Sequence, residues 1–317
     1  MNAFIILPAP AIPRRPPPAF IISFTPQPDL PSSPDMNAPA PKPKPKSKLL
    51  RWLKFIGQAL LTFYIILCVA VTMSQRQLLY HPRVLTAEKV DAAAKAQNLT
   101  RWRNAAGQSI GMFRLAPHQP AIGQILITYG NGGSAVACVH YANDIQKRAD
   151  FDVYLLDYPG YEDRPGNPTE TTICRAADDA LSALPTNQPT YLLGESLGTG
   201  VASYLAGTYP DRIRGVVLLA PYNHLSAPAQ YHYPYLPAAL LLVDRFASDV
   251  HLQNYHGPVG ILIGAADRVV PAKFGRRLYD GYVGPKKLWE FPGADHGDVF
   301  DNLPAVWRDL MQLWQVK

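Results

Sequence analysis

The stretch Tyr191-Leu192-Leu193-Gly194-Glu195-Ser196-Leu197-Gly198-Thr199-Gly200 constrains this chain more than any other. An apolar run leads into Gly-x-Ser-x-Gly, and a helical pattern leaves it. That order reads as strand, sharp turn, helix, with Ser196 lifted above a sheet edge at a strained backbone position. Gly194 and Gly198 flank it because a Cβ there would meet the neighbouring strand or helix. The N–H of Leu197 then opens a helix and faces any negative charge that develops beside Ser196.

Two more polar residues follow in a telling order. Asp267 ends the apolar run Ile261–Gly264 and is trailed by Pro271, and His296 lies in the loop Pro292–Asp298 after a further strand. Serine, acid and histidine in that order, each on an expected strand end, resemble the α/β-hydrolase superfamily, and within it the membrane-anchored Bem46-like serine hydrolases. The resemblance covers roughly residues 75–317, and Gln77-Leu78-Leu79-Tyr80-His81-Pro82 looks like the segment that follows the anchor in that family. It implies an α/β-hydrolase fold and a Ser196–Asp267–His296 triad. Relatives usually read His-Gly-Asn after the first central strand, where this chain has Tyr129-Gly130-Asn131. The oxyanion donors it implies are the N–H groups of Leu197 and Asn131, with Gly132 as the alternative to Asn131. Asp295, Asp298 and Asp244 compete with Asp267 for the acid; the first two are expected to brace the histidine loop.

Strands expected at 122–128, 151–156, 191–193, 213–219, 259–264 and 287–291 alternate with helices at 135–148, 169–184, 197–209, 272–282 and 303–315. A hairpin turning near 104–107 precedes them. Alternation of this kind builds a mostly parallel sheet covered on both faces. Residues 221–250 break the pattern with Pro, Tyr and His, as a small lid would. The aromatic residues there fit either a pocket lining or the lid's own core. The spacing of His224, His232, His251 and His256 matches no standard metal set, and no cofactor is expected.

The net charge of +6 is uneven. Residues 1–54 carry eight Lys/Arg and two acids, so the remainder is neutral and a nucleic-acid footprint is not expected. Fourteen of the 32 prolines fall in residues 1–48, which reads as a solvated Pro/Lys-rich tail. Met36 is expected as the native start, residues 1–35 arising from a misplaced start codon. Phe55–Met73 is uncharged and about as long as a bilayer core requires. With the basic residues before it, the positive-inside rule expects a retained single-pass signal anchor, the N-terminus cytoplasmic and the body (74–317) on the periplasmic or other non-cytoplasmic side. Cys138 and Cys174 are expected as free buried thiols, with a disulfide as the alternative.

The expected activity is cleavage of an acyl ester of a small molecule or lipid, in the manner of a carboxylesterase or lipase. An acyl-protein thioesterase or peptidase uses the same machinery. A non-catalytic, membrane-tethered binding protein of the same fold is the reading from another class.

Overall fold

The computed structural model describes residues 47–316. Most of the Pro/Lys-rich tail and the start expected at Met36 lie outside the described residues. The chain divides into two units, residues 1–54 and 55–317. Of the first, the described residues carry the opening turns of α1 (Lys48–Leu79); everything below belongs to the second.

In chain order the elements are α1, α2 (Ala87–Ala96), β1 (Thr100–Arg103), β2 (Ser109–Arg114), β3 (Gly123–Thr128), α3 (Val139–Gln146), β4 (Phe151–Leu156), α4 (Glu170–Ala183), β5 (Thr190–Glu195), α5 (Leu197–Thr208) and β6 (Ile213–Leu219). There follow α6 (Ser226–His232), α7 (Ala238–Leu241), α8 (Ser248–His251), β7 (Val259–Gly264), α9 (Ala272–Gly281), β8 (Lys286–Phe291) and α10 (Leu303–Leu313). The eight strands form one sheet in the order β1-β2-β4-β3-β5-β6-β7-β8. The β1–β2 and β2–β4 pairs are antiparallel, and all pairs from β4 to β8 are parallel. This is the α/β-hydrolase fold.

Burial explains why the central strands read as unbroken apolar runs. Every residue of β3, β4 and β7 is buried, as a strand covered on both faces requires. Along β7, a Cβ at Gly260 would meet Leu310 of α10, whereas Ile263 packs on Gly275 of α9. Positions an odd number apart point to opposite faces, so α9 and α10 cover opposite sides of the sheet.

The structure departs from the sequence reading at two elements. Helix α1 does not end with the apolar run at Met73 but continues to Leu79. Helix α3 begins at Val139, not near 135: residues 135–138 form a turn, in which the N–H groups of Ala135 and Val136 donate to the buried acids Asp157 (2.9 Å) and Glu162 (3.0 Å). Cys138 consequently caps α3 and does not lie within it. Both Cys138 and Cys174 are buried free thiols, and burial pushes the Cys138 thiol up to about 12.

Residues 221–250 contain α6, α7 and the start of α8. Glu170, at the first turn of α4, accepts the N–H groups of Arg245 (2.6 Å) and Phe246 (2.8 Å). Phe246 in turn fills the space that a side chain at Gly200 would occupy. The insertion is thus tied at its C-terminal end to α4 and α5. Tyr231, Tyr233 and Tyr235 are exposed, so these aromatics are not a lid core.

Candidate active site

Ser196 sits between β5 and α5 with φ +49° and ψ −116°, a conformation an L-residue holds only when its surroundings over-determine it. Those surroundings are visible. The Ser196 N–H donates to Leu219 O (2.9 Å), and Thr128 Oγ1 donates to Gly198 O (2.8 Å). A Cβ on Gly198 would lie 2.1 Å from Thr128 O, and one on Gly194 would lie 2.7 Å from Gly198 O. The two glycines therefore let α5 start directly against β3. Leu197 is the first residue of α5, so its N–H is among those with no intrahelical acceptor.

His296 Nε2 lies 3.0 Å from Ser196 Oγ, and His296 Nδ1 lies 2.7 Å from Asp267 Oδ2. The three expected residues thus meet although 100 residues separate the serine from the histidine. Asp267 is buried, and its other oxygen accepts the N–H groups of Val269 (2.8 Å) and Val270 (2.7 Å). A carboxylate can only accept, so Nδ1 carries the proton and Nε2 faces the serine as an acceptor.

The rival acids have other tasks. Asp295 Oδ1 accepts the N–H groups of His296 (2.8 Å) and Arg268 (3.2 Å), which hold its carboxyl below the usual carboxylate range. Asp298 accepts the Asp295 N–H (3.0 Å). Both brace the histidine loop. Asp244 accepts from Tyr80 Oη (2.9 Å) and Arg76 Nε (3.3 Å), joining the lid to the end of α1. Of the histidines at 224, 232, 251 and 256, His232 Nε2 donates to Val269 O (2.9 Å) and His224 lies against Asn223.

The loop after β3 is held from three sides. Tyr161 Oη donates to Asn131 O (2.6 Å), Tyr158 Oη donates to Tyr129 O (2.7 Å), and Asn131 Nδ2 donates to Leu79 O (2.7 Å). Asn131 and Leu197 both border the cavity that Ser196 and His296 enter. Gly130 lies against the serine, since a Cβ there would stand 3.5 Å from Ser196 Cβ. Tyr129, which stands where relatives carry histidine, is fully buried and donates to Asp157 Oδ1 (2.9 Å). Burial, and then the charge of Glu162, drive the Asp157 carboxyl well above its ordinary value.

The cavity measures about 670 Å³ and is walled by side chains of the 221–250 insertion such as Leu225, Leu236 and Leu242. Val71, Thr72, Gln75, Leu78 and Leu79 of α1 complete it. The sequence reading did not foresee this wall. A usable signal was present, since 71, 72, 75, 78 and 79 follow the i, i+1, i+4, i+7, i+8 spacing of one helix face. A hydroxyl whose proton has an imidazole acceptor at 3.0 Å, oriented in turn by a carboxylate, is an arrangement able to attack an acyl carbon.

Comparison with known proteins agrees with the fold. A family model described as the alpha/beta hydrolase fold matches residues 124–250. An uncharacterized Mycobacterium tuberculosis protein, Rv2307c, is 34% identical over 183 residues, 53% of this chain and 64% of that protein. The chain therefore spans somewhat less than two thirds of that relative's length. The lysophosphatidylserine lipase ABHD12 of Danio rerio is 33% identical over 160 residues, 44% of this chain and 41% of its own. The Pyrococcus furiosus esterase Pf2001 superposes with a TM-score of 0.55 at 14% identity, over 74% of this chain and 98% of that structure.

Proposed function

We propose that this chain, whose fold is that of the α/β-hydrolases, is a membrane-anchored serine hydrolase that cleaves an acyl ester through Ser196, His296 and Asp267. The observation that carries this reading is the continuous relay from Ser196 Oγ through both ring nitrogens of His296 to Asp267, at 3.0 and 2.7 Å. His296 Nε2 takes the hydroxyl proton as Ser196 Oγ attacks the carbonyl carbon. The N–H groups of Leu197 and Asn131 hold the oxyanion, each such donor being worth about 2.7–4 kcal/mol of barrier. The tetrahedral adduct collapses, His296 returns the proton to the departing alcohol, and water attacks the acyl-enzyme by the same route. Asp267 fixes the ring and balances its charge while it is protonated.

The apolar cavity beside Ser196 favours a long acyl chain over a peptide as the group transferred, and the similarity to a lysophosphatidylserine lipase supports a lipid ester. Helix α1 is long and apolar enough to cross a membrane. On this reading residues 1–54 are a basic tail, residues 55–73 are the anchor, and residues 74–317 with the lid at 221–250 are the catalytic domain. The Lys/Arg excess before the anchor keeps the N-terminus in the cytoplasm and the catalytic domain on the opposite side.

The test is labelling with a fluorophosphonate probe, wild type beside Ser196→Ala. Labelling that disappears in the variant is the expected result. A folded wild type that neither labels nor hydrolyses a p-nitrophenyl ester refutes the enzyme reading and leaves the tethered binding protein.

A further inference from the structure

We infer that the last turns of α1 are a working wall of the substrate site, and that they gauge the acyl chain as it passes from the bilayer to Ser196. The inference rests on the esterase reading above and specifies how that site takes its substrate.

One helix face borders the cavity from Val71 to Leu79. Two of its residues are polar, and both have their polar groups engaged elsewhere. Thr72 Oγ1 donates to Cys68 O (2.8 Å) within the helix. Gln75 Nε2 donates to Thr72 O (2.7 Å) and Leu241 O (3.2 Å), while its Oε1 accepts the Val243 N–H (2.7 Å). With these groups satisfied, the wall offers methyls and methylenes, which is what an alkyl chain requires and what a hydrated leaving group does not.

The same contacts make α1 part of the site in a mechanical sense. Gln75 clamps the lid backbone at Leu241 and Val243, and Arg76 and Tyr80 hold Asp244, the next residue. Leu79 O receives the side chain of Asn131, so the helix terminus also holds the loop proposed to stabilise the oxyanion. A passive tether would make no such contacts with both the lid and the loop after β3.

Position along the membrane normal supplies the delivery route. Phe55–Met73 has 19 residues, about 28 Å of helix against a hydrocarbon core of about 30 Å. Leu79 lies six residues further, about 9 Å along the axis. The lining from Val71 to Leu79 therefore straddles the level at which hydrocarbon gives way to headgroups. An acyl chain can slide along the α1 face into the cavity without crossing water, and its ester, carried at the headgroup level, arrives beside Ser196.

The experiment uses the full chain in phospholipid vesicles and compares p-nitrophenyl palmitate with p-nitrophenyl butyrate, active sites being counted by fluorophosphonate labelling. Each methylene removed from an apolar site costs about fourfold in kcat/KM. An indole occupying the place of several methylenes should therefore lower the palmitate-to-butyrate ratio of kcat/KM by at least about tenfold. That fall is expected in Leu78→Trp and, independently, in Val71→Trp. Leu60→Trp, an exposed position on the same helix away from the cavity, should leave the ratio where it is. As a measurement free of substitutions, a long-chain alkyl fluorophosphonate with a terminal diazirine, once bound to Ser196, should photo-crosslink into residues 65–79. Variants that label and hydrolyse butyrate with an unchanged ratio, or crosslinks confined to residues beyond 80, overturn the inference and leave the esterase reading standing. A wild type that neither labels nor hydrolyses either ester overturns both.

Discussion

Replacing Asp267 by asparagine tests the relay with almost no change of shape. Asp267 Oδ1 accepts two backbone N–H groups, from Val269 and Val270, so only an oxygen can occupy that position. The asparagine carbonyl must settle there, which places the amide NH2 where Oδ2 now stands, 2.7 Å from His296 Nδ1. An NH2 group can only donate, so Nδ1 must become the acceptor and the ring proton must move to Nε2. Nε2–H then points at Ser196 Oγ and cannot take its proton. In a serine protease the same substitution costs about 10⁴ in kcat, or about 5.4 kcal/mol of barrier. The loss expected here is of that order, read as kcat for a p-nitrophenyl ester, with the thermal midpoint close to wild type because the oxygen that accepts both backbone N–H groups is kept. Asp267→Ala, which strands the Val269 and Val270 N–H groups, should lose activity and stability together. A folded Asp267→Asn protein with activity within tenfold of wild type refutes the assignment and returns the role to another carboxylate.

Three further outcomes follow from the packing around the site. Gly198→Ala must push α5 away from β3, because the new Cβ meets Thr128 O at 2.1 Å. It should destabilise by about 1–3 kcal/mol in denaturant unfolding, and an accompanying displacement of Ser196 near 1 Å should cost about 100-fold in kcat. Asp157, held neutral by burial, keeps its proton in the folded state at pH values where the unfolded chain has released it. Its stabilisation is full below about pH 4 and is lost as pH rises toward the folded pKa. The thermal midpoint should fall with rising pH over that window, and Asp157→Asn, which keeps an acceptor for Tyr129 and Ala135, should flatten the slope. Cys138 and Cys174 should resist iodoacetamide in the native state and react on unfolding, as mass spectrometry of alkylated peptides would report. Rapid native alkylation would mean that α3 or α4 opens locally.

Much of the fold was legible because its central strands are buried on both faces. Runs such as Ile213–Leu219 and Val259–Gly264 carry an unambiguous apolar signal, and the structure gives those strands the same bounds. That Ser196, Asp267 and His296 would meet was legible from motif and order, since a parallel sheet delivers its strand ends to one edge. What could not be read was contact between distant segments. Nothing local at Tyr129 announces Asp157 as its partner 28 residues away, and nothing in Ala135-Val136 shows that their N–H groups meet two buried acids from another part of the chain. The aromatics at 231, 233 and 235 resemble core in composition yet lie on the surface, because a short lid has too little interior to bury them.

The largest gap concerned α1, and its cause is instructive. Hydropathy divides this helix at Met73, since charge and polarity return at Ser74, Gln75 and Arg76. Backbone continuity ignores that division: the helix runs six residues further and ends at the loop that carries Asn131. The polar residues that mark the end of the apolar run are the ones used for attachment, Gln75 to the lid backbone and Arg76 to Asp244 across 168 residues of sequence. Arg76 is half exposed, so its ion pair with Asp244 adds little stability by itself. Its geometric effect does not depend on that energy. A helix that is buried nowhere along its length, yet is fastened at one end to both the lid and the loop after β3, fixes the cavity's distance from any bilayer the helix enters. Had the apolar part of α1 been joined through a flexible linker, that distance would be free to vary.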